Sequence, residues 1–124
     1  MDPIFGFGYG YVNVFDSNGN FIQRLQSNGV MNVPFAIYFT PTSFGFPIES
    51  YIIANEGDGL LNVFDSNNIL IGRLTDVCGN YIRIPALKAI ATNPLYPNII
   101  YFVASPNGNN AGLFGAISLS PFPC

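Results

Sequence analysis

The phrase Val12-Asn13-Val14-Phe15-Asp16-Ser17-Asn18, with Ile22 and Arg24-Leu25 behind it, returns 49 positions later as Leu61-Asn62-Val63-Phe64-Asp65-Ser66-Asn67, followed by Ile71 and Arg73-Leu74. Each copy reads as strand, turn, strand. A period near fifty residues carried by such units is the signature of a β-propeller blade. A unit of this kind cannot bury both of its faces alone and must stack on others like itself. The 124 residues hold only about two and a half periods. The repeat therefore constrains assembly as much as fold.

Short β-rich runs alternate with clusters of Gly, Pro, Asn, Asp and Ser along the whole chain, and no long stretch keeps a helical period. Nine strands are predicted. Tyr11 to Phe15 and Phe21 to Leu25 flank the turn Asp16-Ser17-Asn18-Gly19, whose residues supply side-chain caps and positive φ. Phe35 to Thr40, Ser50 to Asn55, Leu60 to Phe64 and Ile69 to Leu74 follow. Leu87 to Ala91, Ile99 to Ala104 and Leu113 to Leu119 complete the set. With each blade lettered a to d from its innermost strand, the order is c-d, a-b-c-d, a-b-c. The expected organisation is one all-β domain: an N-terminal c-d hairpin over about 7–25, a full four-stranded antiparallel blade over about 34–75, and a partial blade over about 85–119. The run Ile100-Tyr101-Phe102-Val103-Ala104 is matched to Ser50-Tyr51-Ile52-Ile53-Ala54 as the second b strand.

Composition removes several classes of function. Charged residues are 9% of the chain, against roughly 25% in an average soluble protein. The four bases, Arg24, Arg73, Arg83 and Lys88, form no stripe to neutralise phosphates, so no nucleic-acid groove is expected. No run approaches the roughly 18 apolar residues of a membrane-spanning helix, and no signal peptide is visible at Met1-Asp2-Pro3. A cytoplasmic location and an extracellular one after removal of a leader both fit. Low charge fits two surfaces equally: a polar, uncharged coat of Asn, Ser, Thr and Gly, or one covered in large part by other copies of the chain.

Few groups are available for chemistry. Without histidine, Ser-His and Cys-His nucleophiles and His-based metal sites are excluded. Asp16 and Asp65 fall at equivalent turn positions, where Asp is a preferred cap, so both are assigned to structure. Catalytic residues: none. Glu56 and Asp58 are the one close acidic pair, a candidate oxygen site for a Ca-type cation, although their repeat counterparts are Phe7 and Tyr9. Loop faces suggest binding through Phe44 and Phe46 in the a-b loop and Asn107 and Asn109 in the b-c loop; for Phe44 and Phe46 the alternative is packing under the sheet edge. Cys78 and Cys124 are read as two free thiols, with a bridge as the alternative in an oxidising compartment.

The phrases Asn-Val-Phe-Asp-Ser-Asn with Ile-x-Arg-Leu, and Ala104-Ser105-Pro106-Asn107-Gly108 with Ala111-Gly112-Leu113-Phe114-Gly115-Ala116-Ile117, resemble NHL-like β-propeller repeats. They are most similar to an uncharacterised bacterial propeller family with "INVFD" blades and a closing "GLFGxI" motif. The resemblance runs from about Phe7 to Ile117. It implies a six-bladed ring of which this chain corresponds to the last two to three blades, and it implies no particular activity. One departure stands out: Lys88-Ala89 replaces the aromatic of the a strand.

The expected function is therefore a non-catalytic propeller module acting in self-assembly and protein interaction. Two blades per copy and three copies would complete a six-bladed ring, a homotrimer of cyclic symmetry. The alternatives are a lectin-like sugar-binding propeller, for which Phe and Tyr supply stacking surfaces, and a fragment of a lactonase-like propeller enzyme.

Overall fold

The computed structural model describes residues 5–25, 29–106 and 111–124. Within them lie β1 (Asn13–Phe15), β2 (Phe21–Arg24), β3 (Pro34–Phe39), β4 (Tyr51–Asn55), β5 (Leu61–Phe64), β6 (Leu70–Arg73), β7 (Leu87–Thr92), β8 (Ile99–Ala104) and β9 (Leu113–Ser118). A single 3-10 turn, Thr42–Phe44, interrupts the connection from β3 to β4. Every sheet is antiparallel: a two-stranded N-terminal hairpin β1-β2, a central four-stranded sheet β3-β4-β5-β6, and a C-terminal three-stranded sheet β7-β8-β9 with β8 in the middle. All-β architecture in small antiparallel sheets is what the alternating strand and turn composition dictates.

The repeated phrase folds the same way twice. In the hairpin Asn13 faces Arg24 and Val14 faces Gln23, then the register slips so that Phe15 faces Phe21. In the central sheet Asn62 faces Arg73 and Val63 faces Gly72, then the same slip sets Phe64 against Leu70. Both turns close on their aspartate. Asp16 Oδ1 accepts the amides of Asn18 and Asn20, and Asp65 Oδ1 those of Asn67 and Ile69. A third turn, which the strand reading passes over, repeats the device: Asp76 Oδ1 accepts the amides of Cys78 and Asn80, and Thr75 bridges Tyr81 beneath it.

One alignment needs correcting. A register slip between Pro34 and Ala36 in the β3-β4 pair has its counterpart between Leu87 and Ala89 in the β7-β8 pair. It follows that Ala104 corresponds to Asn55, Val103 to Ala54, Phe102 to Ile53 and Tyr101 to Ile52. The sequence match, which paired Tyr101 with Tyr51, is off by one. Because side chains alternate, a slip of one residue moves every one of them to the opposite face. With the corrected register, Ile100, Phe102 and Ala104 share one face and Tyr101 and Val103 the other.

Two cores hold the sheets face to face. Leu25, Val30, Met31, Ile53 and Phe64, with Val12, Val14, Tyr51 and Leu70 at their margin, join the hairpin to one face of the central sheet. Ile52, Ala54, Leu61, Val63 and Leu74 on the other face meet Ile84, Leu87, Ile90, Ile100 and Ala104 of the C-terminal sheet. The turn between β4 and β5 fixes how closely these layers approach. The Gly57 amide donates to the Asn32 carbonyl, and the Ile84 amide donates to the Gly59 carbonyl. A Cβ at Gly59 (φ 73°) would stand 2.3 Å from the Ile84 carbonyl oxygen, and one at Gly57 1.8 Å from Asn32 Oδ1. Two backbones pass where only glycine leaves room.

The cysteine expectation is also corrected. Cys78 and Cys124 are joined, with Cα atoms 4.8 Å apart, within the range a disulfide requires. The Asp76 turn and the C-terminal tail are distant in sequence but adjacent in the fold, a proximity that loop composition does not report. Gly59→Ala is expected to lower stability by more than about 1 kcal/mol, since it combines positive φ with backbone collision. Urea denaturation of the variant checks this; an unchanged midpoint would show that the turn has slack.

Candidate functional site

The residues singled out for chemistry occupy places that explain their presence structurally. Glu56 is almost wholly buried, and its Oε1 receives a hydrogen bond from Lys88 Nζ at 2.5 Å. Lys88, on β7, lies with Nζ 5.0 Å from the centre of the Phe35 ring. The pair ties the β4-β5 turn to the inner strand of the next sheet, and it accounts for a lysine where an aromatic was expected. Asp58, two residues on, accepts the Leu60 amide through Oδ1 and closes its own turn. Glu56 and Asp58 thus have separate partners. Among the described residues no group of three or more His, Cys, Asp or Glu is placed to hold a metal.

Phe44 and Phe46 are half-buried against the core between the central and C-terminal sheets. Their loop is anchored by Ser43, whose hydroxyl donates to the Pro97 carbonyl of the β7-β8 connection. Both rings pack on the edge of that core. Asn107 and Asn109 lie outside the described residues.

The aspartate turns are electrostatically distinct although exposed. The Asp16 carboxyl is held below its ordinary value of 3.8 chiefly by the Asn20 amide and then by the Asn20 side chain. Asp76 is likewise lowered, first by the Asn80 amide. Neither geometry brings a reactive partner to the carboxylate. These groups order loops.

What remains unexplained by internal packing is the apolar surface at the two ends of the stack, and here residue equivalence decides the reading. Phe64 is fully buried, whereas its hairpin counterpart Phe15 is 55% exposed and rests edge-on against Phe21. Ile53 is covered by the hairpin, yet Ile37 and Phe39 on the same face of the same sheet are exposed. The two-stranded hairpin packs over β4, β5 and β6, so the β3 part of that face is uncovered. A groove results, lined by Val12, Val14, Phe15, Ile37, Phe39 and Tyr51. At the other end, Ala89, Ala91, Tyr101, Val103, Phe114 and Ala116 share the outward face of the C-terminal sheet, with Tyr101 and Phe114 stacked at 5.9 Å. Their counterparts in the central sheet include Ile52, Ala54, Leu61 and Val63, all buried. Among the described residues that sheet has three strands, and beside β9 a second groove opens between Phe44, Phe46, Leu74, Ile82, Ile117 and Leu119. Sequence reading named Phe44 and Phe46, which line the second groove, and missed the first. The signal lay in the copy-to-copy comparison, which pairs Phe15 with buried Phe64.

No family model matches the chain, and no solved structure matches it. Three proteins of Acanthamoeba polyphaga mimivirus, each described as uncharacterized, are similar to it. One is 37% identical over 117 residues, which is 94% of this chain and 29% of the relative. Another is 34% identical over 110 residues, 89% of this chain and 29% of the relative. The third is 34% identical over 119 residues, 96% and 22% respectively. The chain spans less than a third of the length of these relatives.

Two outcomes are expected. Lys88→Met leaves the Glu56 carboxylate buried without its cation and should cost about 2 kcal/mol, less than for a fully buried pair because the lysine is partly exposed. The double variant with Glu56→Gln should cost less than the sum of the single changes in denaturation experiments. In acid, a carboxyl whose folded pKa is depressed contributes order above its unfolded pKa and loses it as pH falls through the folded value. The amide shifts of Asn18, Asn20, Cys78 and Asn80, followed by NMR, should therefore titrate with midpoints below 3.8; midpoints at or above 3.8 would contradict the turn geometry.

Proposed function

We propose that the protein is a non-catalytic β-propeller module whose function is assembly, and that three copies close a six-bladed ring presenting its loop faces to another protein. One observation carries the reading: the hairpin and the C-terminal sheet each leave open an apolar face whose counterpart in the central sheet is buried. The hairpin needs inner strands on its free side, and the C-terminal sheet supplies inner strands that need outer ones. An interface already used twice within the chain can be used again between chains. Contacts of this head-to-tail kind make rings when the rotation closes.

The relatives support the same reading from another direction. If 117 aligned residues are 29% of a protein, that protein has roughly 400 residues, room for further units of about fifty. In such a protein the neighbouring units can lie on the same chain; separate copies are the other way to supply them. The likeness to NHL-like repeats, rather than to any family with an assigned chemistry, is consistent with a scaffold. The enzyme and lectin alternatives gain no specific support, since Asp16, Asp58, Asp65 and Asp76 close turns, Glu56 is paired with Lys88, and the repeated Asn-Arg pairs are cross-strand contacts within the hairpins.

Sedimentation of the 124-residue chain tests the proposal. A species three times the 13.5 kDa chain mass is expected, and Phe15→Glu should convert it to monomer by placing a charge in the buried contact. A monodisperse monomer across the micromolar range would falsify the ring.

A further inference from the structure

We infer that β9 is an internal placeholder, occupying on β8 the seat that the β1-β2 hairpin of a second copy takes in the assembled particle, with the Cys78–Cys124 disulfide as its latch. The inference rests on the assembly reading and specifies its partner and its control.

The register makes the claim specific. β9 pairs with β8 so that Phe114 faces Val103, Gly115 faces Phe102, Ala116 faces Tyr101 and Ile117 faces Ile100. β5 pairs with β4 so that Leu61 faces Ala54, Asn62 faces Ile53, Val63 faces Ile52 and Phe64 faces Tyr51. With the corrected alignment of β8 on β4, the seat held by Leu61-Asn62-Val63-Phe64 in one sheet is held by Phe114-Gly115-Ala116-Ile117 in the other. The same four positions of the N-terminal hairpin are Val12-Asn13-Val14-Phe15. Two segments of the chain therefore fit one kind of seat, and only one of them brings the next strand with it.

β9 is the poorer occupant. Both true hairpins brace this strand against its neighbour through an Arg-Asn pair, Arg24 Nε to Asn13 Oδ1 and Arg73 Nε to Asn62 Oδ1, each 2.9 Å. β9 has Gly115 at that position and, among the described residues, no strand on its outer side. Ala116 replaces the valine, and most of β9 is exposed. The groove beside it is where an outer strand would lie. In the hairpin contact Phe64 and Leu70 pack with Leu25; by the same correspondence Phe15 and Phe21 of an incoming hairpin would pack with Leu74, which lines that groove with Phe44, Phe46 and Ile82. The empty space and the exposed aromatic pair are complementary. Meanwhile the incoming copy's own groove, with Ile37 and Phe39, would cover Tyr101 and Val103.

The latch follows from connectivity. β9 ends at Ser118, and Cys124, six residues on, is bound to the turn that follows β6 of the central sheet. While that bond is intact, the tail pins the end of β9 beside the groove an incoming hairpin must enter. Reduction of the disulfide to two thiols, by an added dithiol that is itself oxidised to its disulfide, frees the tail without disturbing the cores.

The test uses the full chain. Sedimentation in the presence of dithiothreitol, and of Cys124→Ser without it, should show assembly at roughly tenfold lower concentration than the oxidised wild type. Gly115→Val, whose side chain would press on the Phe102 ring, should shift assembly in the same direction by loosening β9. In a Cys78→Ser, Cys124→Ser background, Val14→Cys with Tyr101→Cys should form a disulfide between chains, read as a ladder on a non-reducing gel. Assembly that yields no such cross-link, or that is indifferent to reductant, overturns the exchange while leaving the ring intact. Monomer under every condition overturns both.

Discussion

The whole molecule depends on one contact: the apolar face of one antiparallel sheet laid on the opposite face of the next. The chain makes it twice, hairpin on central sheet and central sheet on C-terminal sheet. Each use buries residues that a lone sheet would leave in water, where a large aliphatic or aromatic side chain forgoes roughly 1.5–3 kcal/mol. The turns, the ion pair and the disulfide all serve the alignment of that contact. Lys88 reaches back to Glu56 across it, Ser43 reaches forward to Pro97, and the tail is fastened behind it. The first and last faces of the stack are as apolar as its internal ones.

The repeat was legible because hairpins write themselves locally. Asn-Val-Phe-Asp-Ser-Asn is a strand followed by an aspartate-capped turn, and both the strand positions and the turn hydrogen bonds follow from neighbours a few residues away. Inner strands are harder. β7 and β8 keep the fold of β3 and β4 while exchanging Tyr51 for Ile100 and Ile52 for Tyr101, so a search for like residues lands one position off and turns the strand over. Only the slip between Leu87 and Ala89 restores the register, and a slip is not written in any one residue. The disulfide was illegible for a different reason. Cys78 and Cys124 are 46 residues apart, and their meeting depends on where the third sheet docks, which is a property of the whole stack.

The candidate site shows the same division. Glu56 and Asp58 stand close in sequence and invite a shared ligand, yet burial separates their roles: one carboxylate is turned inward to a lysine from the next sheet, the other caps its own loop. Phe44 and Phe46 look like display residues; both rings pack against the core and also line the groove beside β9. Conversely, Phe15 looks like a core residue by analogy with Phe64 and is largely exposed. Placement in the stack, rather than residue type, decides which side of that line each falls on.

The glycine turn between β4 and β5 has a consequence for how such chains vary. Gly57 and Gly59 let peptide groups of adjacent layers meet directly, so the inclination of one sheet on the next is set by main chain against main chain. Side chains then fill a gap whose shape they do not determine. Leu61 gives way to Phe114 and Val63 to Ala116 between corresponding strands, and the pairing register is the same. The curvature of the stack is a backbone property, and the faces are free to drift in sequence around it.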